Sequence, residues 1–250
     1  MLALLAACSS TPKVDGDNPD KLYADAKDDL NSGNYDKAIK TLERVEGRAA
    51  GTLLAQQSLL DMAYAQWKTN ERVQSVATID RFMKLYPSSP AMDYALYLKG
   101  VVNFNDNLGI LSSISRQNIS ERDQQASRDA YQSFKQVVDR FPESRYAPDA
   151  RQRMVYIVNS LASYEVHVAR YYFRRGAYVA AANRAQQAVQ EFQYSPSAEE
   201  ALVIMAQSYD RLGLTELRDD AQRVLAKNFP NSRFASEGLT TRQRQWWQFW

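Results

Sequence analysis

Apolar residues recur at three- and four-residue spacing along most of the chain, the period of an amphipathic helix. From Pro19 to about Val45, Ala26, Leu30, Ala38 and Leu42 lie on this spacing around Gly33-Asn34-Tyr35. That pattern predicts two helices joined by a tight turn, since glycine adopts positive φ at a helix C-terminus without a Cβ clash. The tyrosine that follows can plug the second helix against its neighbour. A second copy uses Leu59, Met62, Ala63, Trp67, Ser75 and Ile79. The clearest copy, Ala162 to Gln193, places Ala169, Tyr172, Ala181, Ala185 and Ala188 around the turn Gly176-Ala177-Tyr178. The last uses Leu202, Met205, Ala206 and Tyr209, then Ala221 and Leu225. Each stripe is read as core, because each hairpin must bury its apolar face on the next.

Tyr86-Pro87, Phe141-Pro142 and Phe229-Pro230 each close one of these helices, and Phe192-Gln193 stands at the equivalent place. Small residues where two helices touch, with an aromatic and a proline ending the second, form the tetratricopeptide signature of 34 residues. The fold class predicted is therefore all-α, a tetratricopeptide-repeat α-solenoid of about five helix pairs. Two irregularities interrupt it. Gly100 and Ala130 stand 30 apart where the repeat expects 12, which predicts an insertion near 105–123. Pro142 and Gln193 are 51 apart, and neither Gly nor Pro lies between Asp149 and Arg175. One long helix from Pro148 to near Arg175 accounts for both facts, with proline favoured in a first turn. Two stripes run along it: Met154, Ile157, Leu161, Tyr164, Val168 and Tyr172, and Val155, Val158, Ala162, Val166, Ala169 and Phe173. A helix apolar on two faces is expected to lie between neighbours.

Composition narrows the function. Nine Gly and eight Pro in 250 residues leave little room for loops. Thirty-one basic and 29 acidic residues balance to +2, so bulk charge points to no nucleic acid. A single Cys excludes an internal disulfide and a thiolate zinc cage, and a single His makes a multi-histidine centre untenable. His167 is expected to be structural, within an apolar stretch of the long helix. No Gly-rich phosphate loop, G-x-S-x-G or H-E-x-x-H occurs. The expectation is a non-enzyme without cofactor or metal.

The chain opens with Leu5-Ala6-Ala7-Cys8-Ser9, which resembles the bacterial lipobox. Small side chains let the backbone enter a peptidase groove, and the thiol accepts the lipid. The resemblance implies that residues 1–7 are the remainder of a signal peptide and that Cys8 is lipidated. Residues 8–19 would then be anchor and flexible tether. Ser9 where aspartate often marks inner-membrane retention favours the outer membrane. No run of 18 apolar residues follows.

Lipobox, tether and irregular helix pairs together resemble the BamD family, lipoproteins of the outer-membrane β-barrel assembly machinery. Asn18 to Tyr23, Ala26 to Ala38, Phe82 to Pro87 and, above all, Tyr164 to Tyr172 running into Arg175 to Arg184 carry the resemblance. Residues 46–56 lack a Tyr-Pro that members often place there, and residues 237–250 extend beyond many members. What the resemblance implies is a scaffold on the periplasmic face of the outer membrane. Its C-terminal repeats would bind the POTRA region of a BamA-like barrel protein. Other surfaces would meet BamC- and BamE-like lipoproteins and unfolded outer-membrane proteins. The competing reading is a periplasmic repeat protein coordinating envelope constriction or peptidoglycan synthesis.

Three features are candidate contacts. Residues 135–184 hold nine basic and four acidic side chains, whereas residues 9–36 hold three basic and seven acidic ones. Arg184, Arg170, Arg174 and Arg175 fall within or beside the family-specific run and are candidates for the barrel partner, since the guanidinium fork grips carboxylates bidentately. In the N-terminal repeats, residues 20–142, Tyr23, Tyr35, Tyr64 and Trp67 are candidates for a groove that takes aromatic-rich strands. Beyond the long helix and C-terminal repeats at 143–232, residues 233–250 form an aromatic tail. Trp246, Trp247 and Trp250 suit an interface. The tail would mimic substrate or contact a neighbouring subunit, the alternative being packing on the last repeat.

Overall fold

The computed structural model describes residues 18–104 and 121–232, without the side chains of 121–123. The expected insertion falls almost wholly outside the described residues, as do Cys8, the tether and the tail. Among the described residues there are ten helices. They are α1 Pro19–Asn31, α2 Tyr35–Arg48, α3 Leu53–Lys68, α4 Arg72–Leu85 and α5 Met92–Asn103, then α6 Glu121–Arg140, α7 Ala147–Arg174, α8 Tyr178–Glu191, α9 Ser197–Arg211 and α10 Thr215–Asn228. They pair as five successive hairpins, the tetratricopeptide order.

The chain divides into two compact units. Of the described residues, the first holds 18–104 with Asp129–Ala150 and the second 121–128 with 151–232. In the first, each of α1 to α4 packs on the next, and α3 also touches α1 and α5. In the second, α8 packs on α9 and α9 on α10. Contacts between consecutive elements, rather than around one centre, define a solenoid.

Local chemistry sets the ends. Asn18 caps α1, its side chain accepting the Asp20 N–H at 2.9 Å, and Pro19 occupies the first turn. The hairpin turns use left-handed backbone, with φ of +77° at Gly33 and +76° at Gly176. Asn70 takes the same place in the second hairpin at φ 65°, the non-glycine residue best suited to that region. Tyr86, Phe192 and Phe229 each follow the last helical residue, with the backbone N–H closing on a carbonyl four residues earlier.

The core of the first unit runs from Ala26 and Leu42 through Leu59, Ala63 and Phe82 to Ala95 and Val102. Its buried hydroxyls are satisfied: Ser75 donates to the Ala63 carbonyl at 2.7 Å and Thr78 to Gln66 Oε1 at 2.9 Å, both pairing α4 with α3. A Cβ at Gly100 would stand 2.4 Å from the Phe134 ring, so only glycine lets α5 and α6 approach this closely. In the second unit Val166, Ala169, Ala181, Ala185, Ala188, Ala201 and Ile204 form the core. Alanine there brings backbones close, as the sequence pattern predicts.

The long helix α7 has 28 residues, or about 42 Å at 1.5 Å per residue. Ile157, Leu161, Ala162, Val166 and Ala169 are buried from both stripes. Two details differ from expectation. Val155, placed in the second stripe, is 60% exposed. His167 is exposed rather than part of the apolar packing. Successive residues point about 100° apart, so burying Val166 and Ala169 turns the intervening His167 outward.

Candidate partner-binding surfaces

The first unit carries a groove of 510 Å³, lined by Tyr23 of α1, by Gln57, Leu60 and Asp61 of α3, and by Ala91, Asp93, Tyr94, Arg145 and Tyr146. Asp61 is its electrostatic centre. Its carboxylate accepts the Tyr23 hydroxyl at 2.8 Å and Lys27 Nζ at 3.1 and 3.2 Å. Burial first, and Asp61 second, push the Tyr23 phenol above its ordinary range, so it stays a donor. Burial likewise raises Tyr94 to about 12, helped by the negative field of Asp61 and opposed by the Arg145 guanidinium. Opposite them, Ser144 donates to Asp93 at 2.6 Å, fixing the segment that carries Arg145 and Tyr146. The Arg145 guanidinium lies 4.8 Å from the Tyr146 ring centre, and that ring stacks on Tyr97 at 4.7 Å. The groove therefore offers aromatic rings, phenolic donors, one exposed cation and two acids, Asp61 paired with Lys27 and Asp93 accepting from Ser144. That mixture suits an extended peptide with aromatic side chains rather than chemistry on a bond.

Of the four aromatics expected here, Tyr23 lines the groove. Tyr35, Tyr64 and Trp67 are half-buried on the same core cluster. They form a row of rings, with centroids 6.4 Å apart for Tyr35 and Tyr64 and 5.8 Å for Tyr64 and Trp67. Lys68 Nζ sits 5.0 Å from the Trp67 ring and 5.8 Å from that of Tyr64. The sequence reading missed Tyr94, Tyr146, Asp61 and Arg145. A signal for part of this was present. Ala26, Ala63 and Gly100 are 37 residues apart, and Gln57 and Tyr94 each stand six residues before one of them. Carrying that register through puts both on one face.

In the second unit the four candidate arginines have different surroundings. Arg170 of α7 is held by Glu200 of α9, with Nε at 2.6 Å. Arg184 of α8 is held by Glu165 of α7, with Nη1 at 3.1 Å. Arg174 and Arg175 are exposed at the end of α7. Arg175 lies 5.5 Å from the ring centre of Tyr171, itself 52% exposed. An exposed tyrosine with one guanidinium beside its ring has the composition found in protein-binding anchors. Tyr171 was read only as part of the family-specific run, and its exposure follows from the helix register, as with His167. Among the described residues no group of His, Cys, Asp or Glu could hold a metal, and no helix is long and apolar enough to cross a membrane.

Comparison with known proteins places this architecture. The YfiO family, described as an outer membrane lipoprotein, matches residues 15–224. The outer membrane protein assembly factor BamD of Neisseria meningitidis serogroup A (strain DSM 15465 / Z2491) is 45% identical, over 98% of this chain and 95% of its own length. The protein of that name from Neisseria gonorrhoeae is 44% identical over the same shares. That of Vibrio cholerae serotype O1 is 33% identical over 91% of this chain and 95% of its own. The chain belongs to the BamD family of outer membrane protein assembly factors.

Proposed function

We propose that this chain is a lipid-anchored, non-catalytic scaffold subunit of the outer-membrane β-barrel assembly complex. Family membership over nearly the whole chain carries the reading. Cys8 is the anchor: its acyl chains enter the membrane while the repeats stay on the periplasmic face. The second unit binds the POTRA region of a BamA-like barrel protein through Arg184, Arg174 and Arg175, with Arg170 in support. The groove of the first unit receives unfolded outer-membrane proteins, and remaining surfaces meet BamC- and BamE-like lipoproteins. Trp246, Trp247 and Trp250 of the tail serve as a further interface, either mimicking substrate or touching a neighbouring subunit.

The groove assignment is supported by its aromatic lining, Tyr23, Tyr94 and Tyr146. A photo-crosslinker at Tyr64, in the aromatic row with Tyr35 and Trp67 on the same core cluster as Tyr23 and Tyr94, should capture a C-terminal peptide of an unfolded barrel protein. Deleting residues 243–250 should change the yield. No capture at Tyr64, with unchanged assembly after the deletion, would refute both the groove and the tail assignments.

The partner surface is tested at Arg184. A charge-assisted hydrogen bond contributes roughly 1.5–3 kcal/mol, so Arg184→Ala should weaken partner binding about 10- to 100-fold. Titration of the purified POTRA region against protein shown to be folded reads this. Normal affinity removes Arg184 from the interface.

A further inference from the structure

Glu165 is an acid where packing needs none. Its side chain is 3% exposed and lies between the buried stripe residues Ala162, Val166 and Ala169 of α7. A carboxylate in such a place costs far more than an apolar side chain of the same size unless it is paired. Its partner is Arg184 of α8, at 3.1 Å from Nη1 to Oε2. That arginine is the opposite of buried, with 44% of its side chain exposed. A guanidinium has five N–H donors. One goes to Glu165, and no other acceptor among the described residues takes another. Buried ion pairs are weak contributors to stability, so this one is better explained by what it does to the exposed end. Arginine is long and rotamer-rich, and fixing it on binding is costly. A carboxylate beneath it removes that cost beforehand and leaves the outer edge of the fork open.

We propose that Glu165 is a positioning residue, which fixes the Arg184 guanidinium so that its free edge meets a carboxylate of the protein partner. This rests on the partner surface proposed above. Arg170 provides the contrast, since Glu200 takes both its Nε and an Nη. That fork is more fully used inside the chain, and Arg170 has less to offer outside it.

The test uses the full chain and the purified POTRA region, with thermal melting measured alongside the binding constant. Glu165→Gln keeps the shape and one acceptor but removes the charge. It should weaken binding about fivefold, the cost of ordering one long side chain, and should add nothing in an Arg184→Ala background. Glu165→Asp keeps the charge but retracts it by one methylene, and should weaken binding in the same direction if the Gln variant fails to fold. A purely structural Glu165 would move the melting temperature and leave affinity alone. Unchanged or tighter binding by both Glu165 variants, while Arg184→Ala loses tenfold or more, overturns the proposal. Normal binding by Arg184→Ala overturns the partner surface itself.

Discussion

Phe134→Ala is expected to destabilise the first unit by about 3–5 kcal/mol, the range for removing a fully buried aromatic side chain. Phe134 has no exposed surface and is among the largest fully buried side chains. Its ring fills the space that Gly100 leaves open and stands 6.0 Å from Tyr97 and 6.1 Å from Phe104, centre to centre. At about 2–4 °C per kcal/mol for a chain of this size, the melting temperature should fall by roughly 6–20 °C. Gly100→Leu probes the same contact from the other side. It forces atoms into a ring that cannot retreat, an overpacking cost of about 1–3 kcal/mol. Circular dichroism melts of both variants check this. A Phe134→Ala variant melting within about a degree of the parent would mean that α5 and α6 do not meet as described.

Cys8→Ser is expected to release the protein from the outer membrane while leaving helical content unchanged. Each buried methylene of an acyl chain contributes about 0.8 kcal/mol, and stable anchoring takes more than one chain. Losing the thiol that accepts the lipid therefore removes essentially all direct membrane affinity. The repeats begin at Pro19, so the substitution touches no hairpin. Fractionation of cells in which the partner is also depleted separates lipid anchoring from retention by partners. A serine variant that still sediments with outer membrane under those conditions contradicts lipidation at Cys8.

The repeat was legible because its signals are local. Small residues at helix contacts, Gly33 and Gly176 at the turns, and an aromatic after the second helix of every hairpin but the first all act within one hairpin. The 28-residue helix followed from the lack of Gly and Pro between Asp149 and Arg175. The sites were legible only in part. Tyr23 could be guessed from its repeat, but Asp61, Tyr94 and Tyr146 meet across three elements and share no local pattern. The side of α7 that faces outward depends on a turn of about 100° per residue, so a small error in phase misplaced Val155, and the apolar sequence neighbours of His167 did not reveal its outward face. Arg184 was singled out, yet its tie to Glu165, 19 residues away on another helix, has no trace in the spacing.

Affinity purification of the tagged full-length chain from detergent-solubilised outer membrane tests the central claim most directly. A subunit of the barrel-assembly complex should bring down, in defined proportion, a large barrel protein bearing POTRA domains, and the Arg184→Ala variant should bring down much less. Recovery of peptidoglycan-synthesis or constriction proteins, with no POTRA-bearing barrel, would contradict the account.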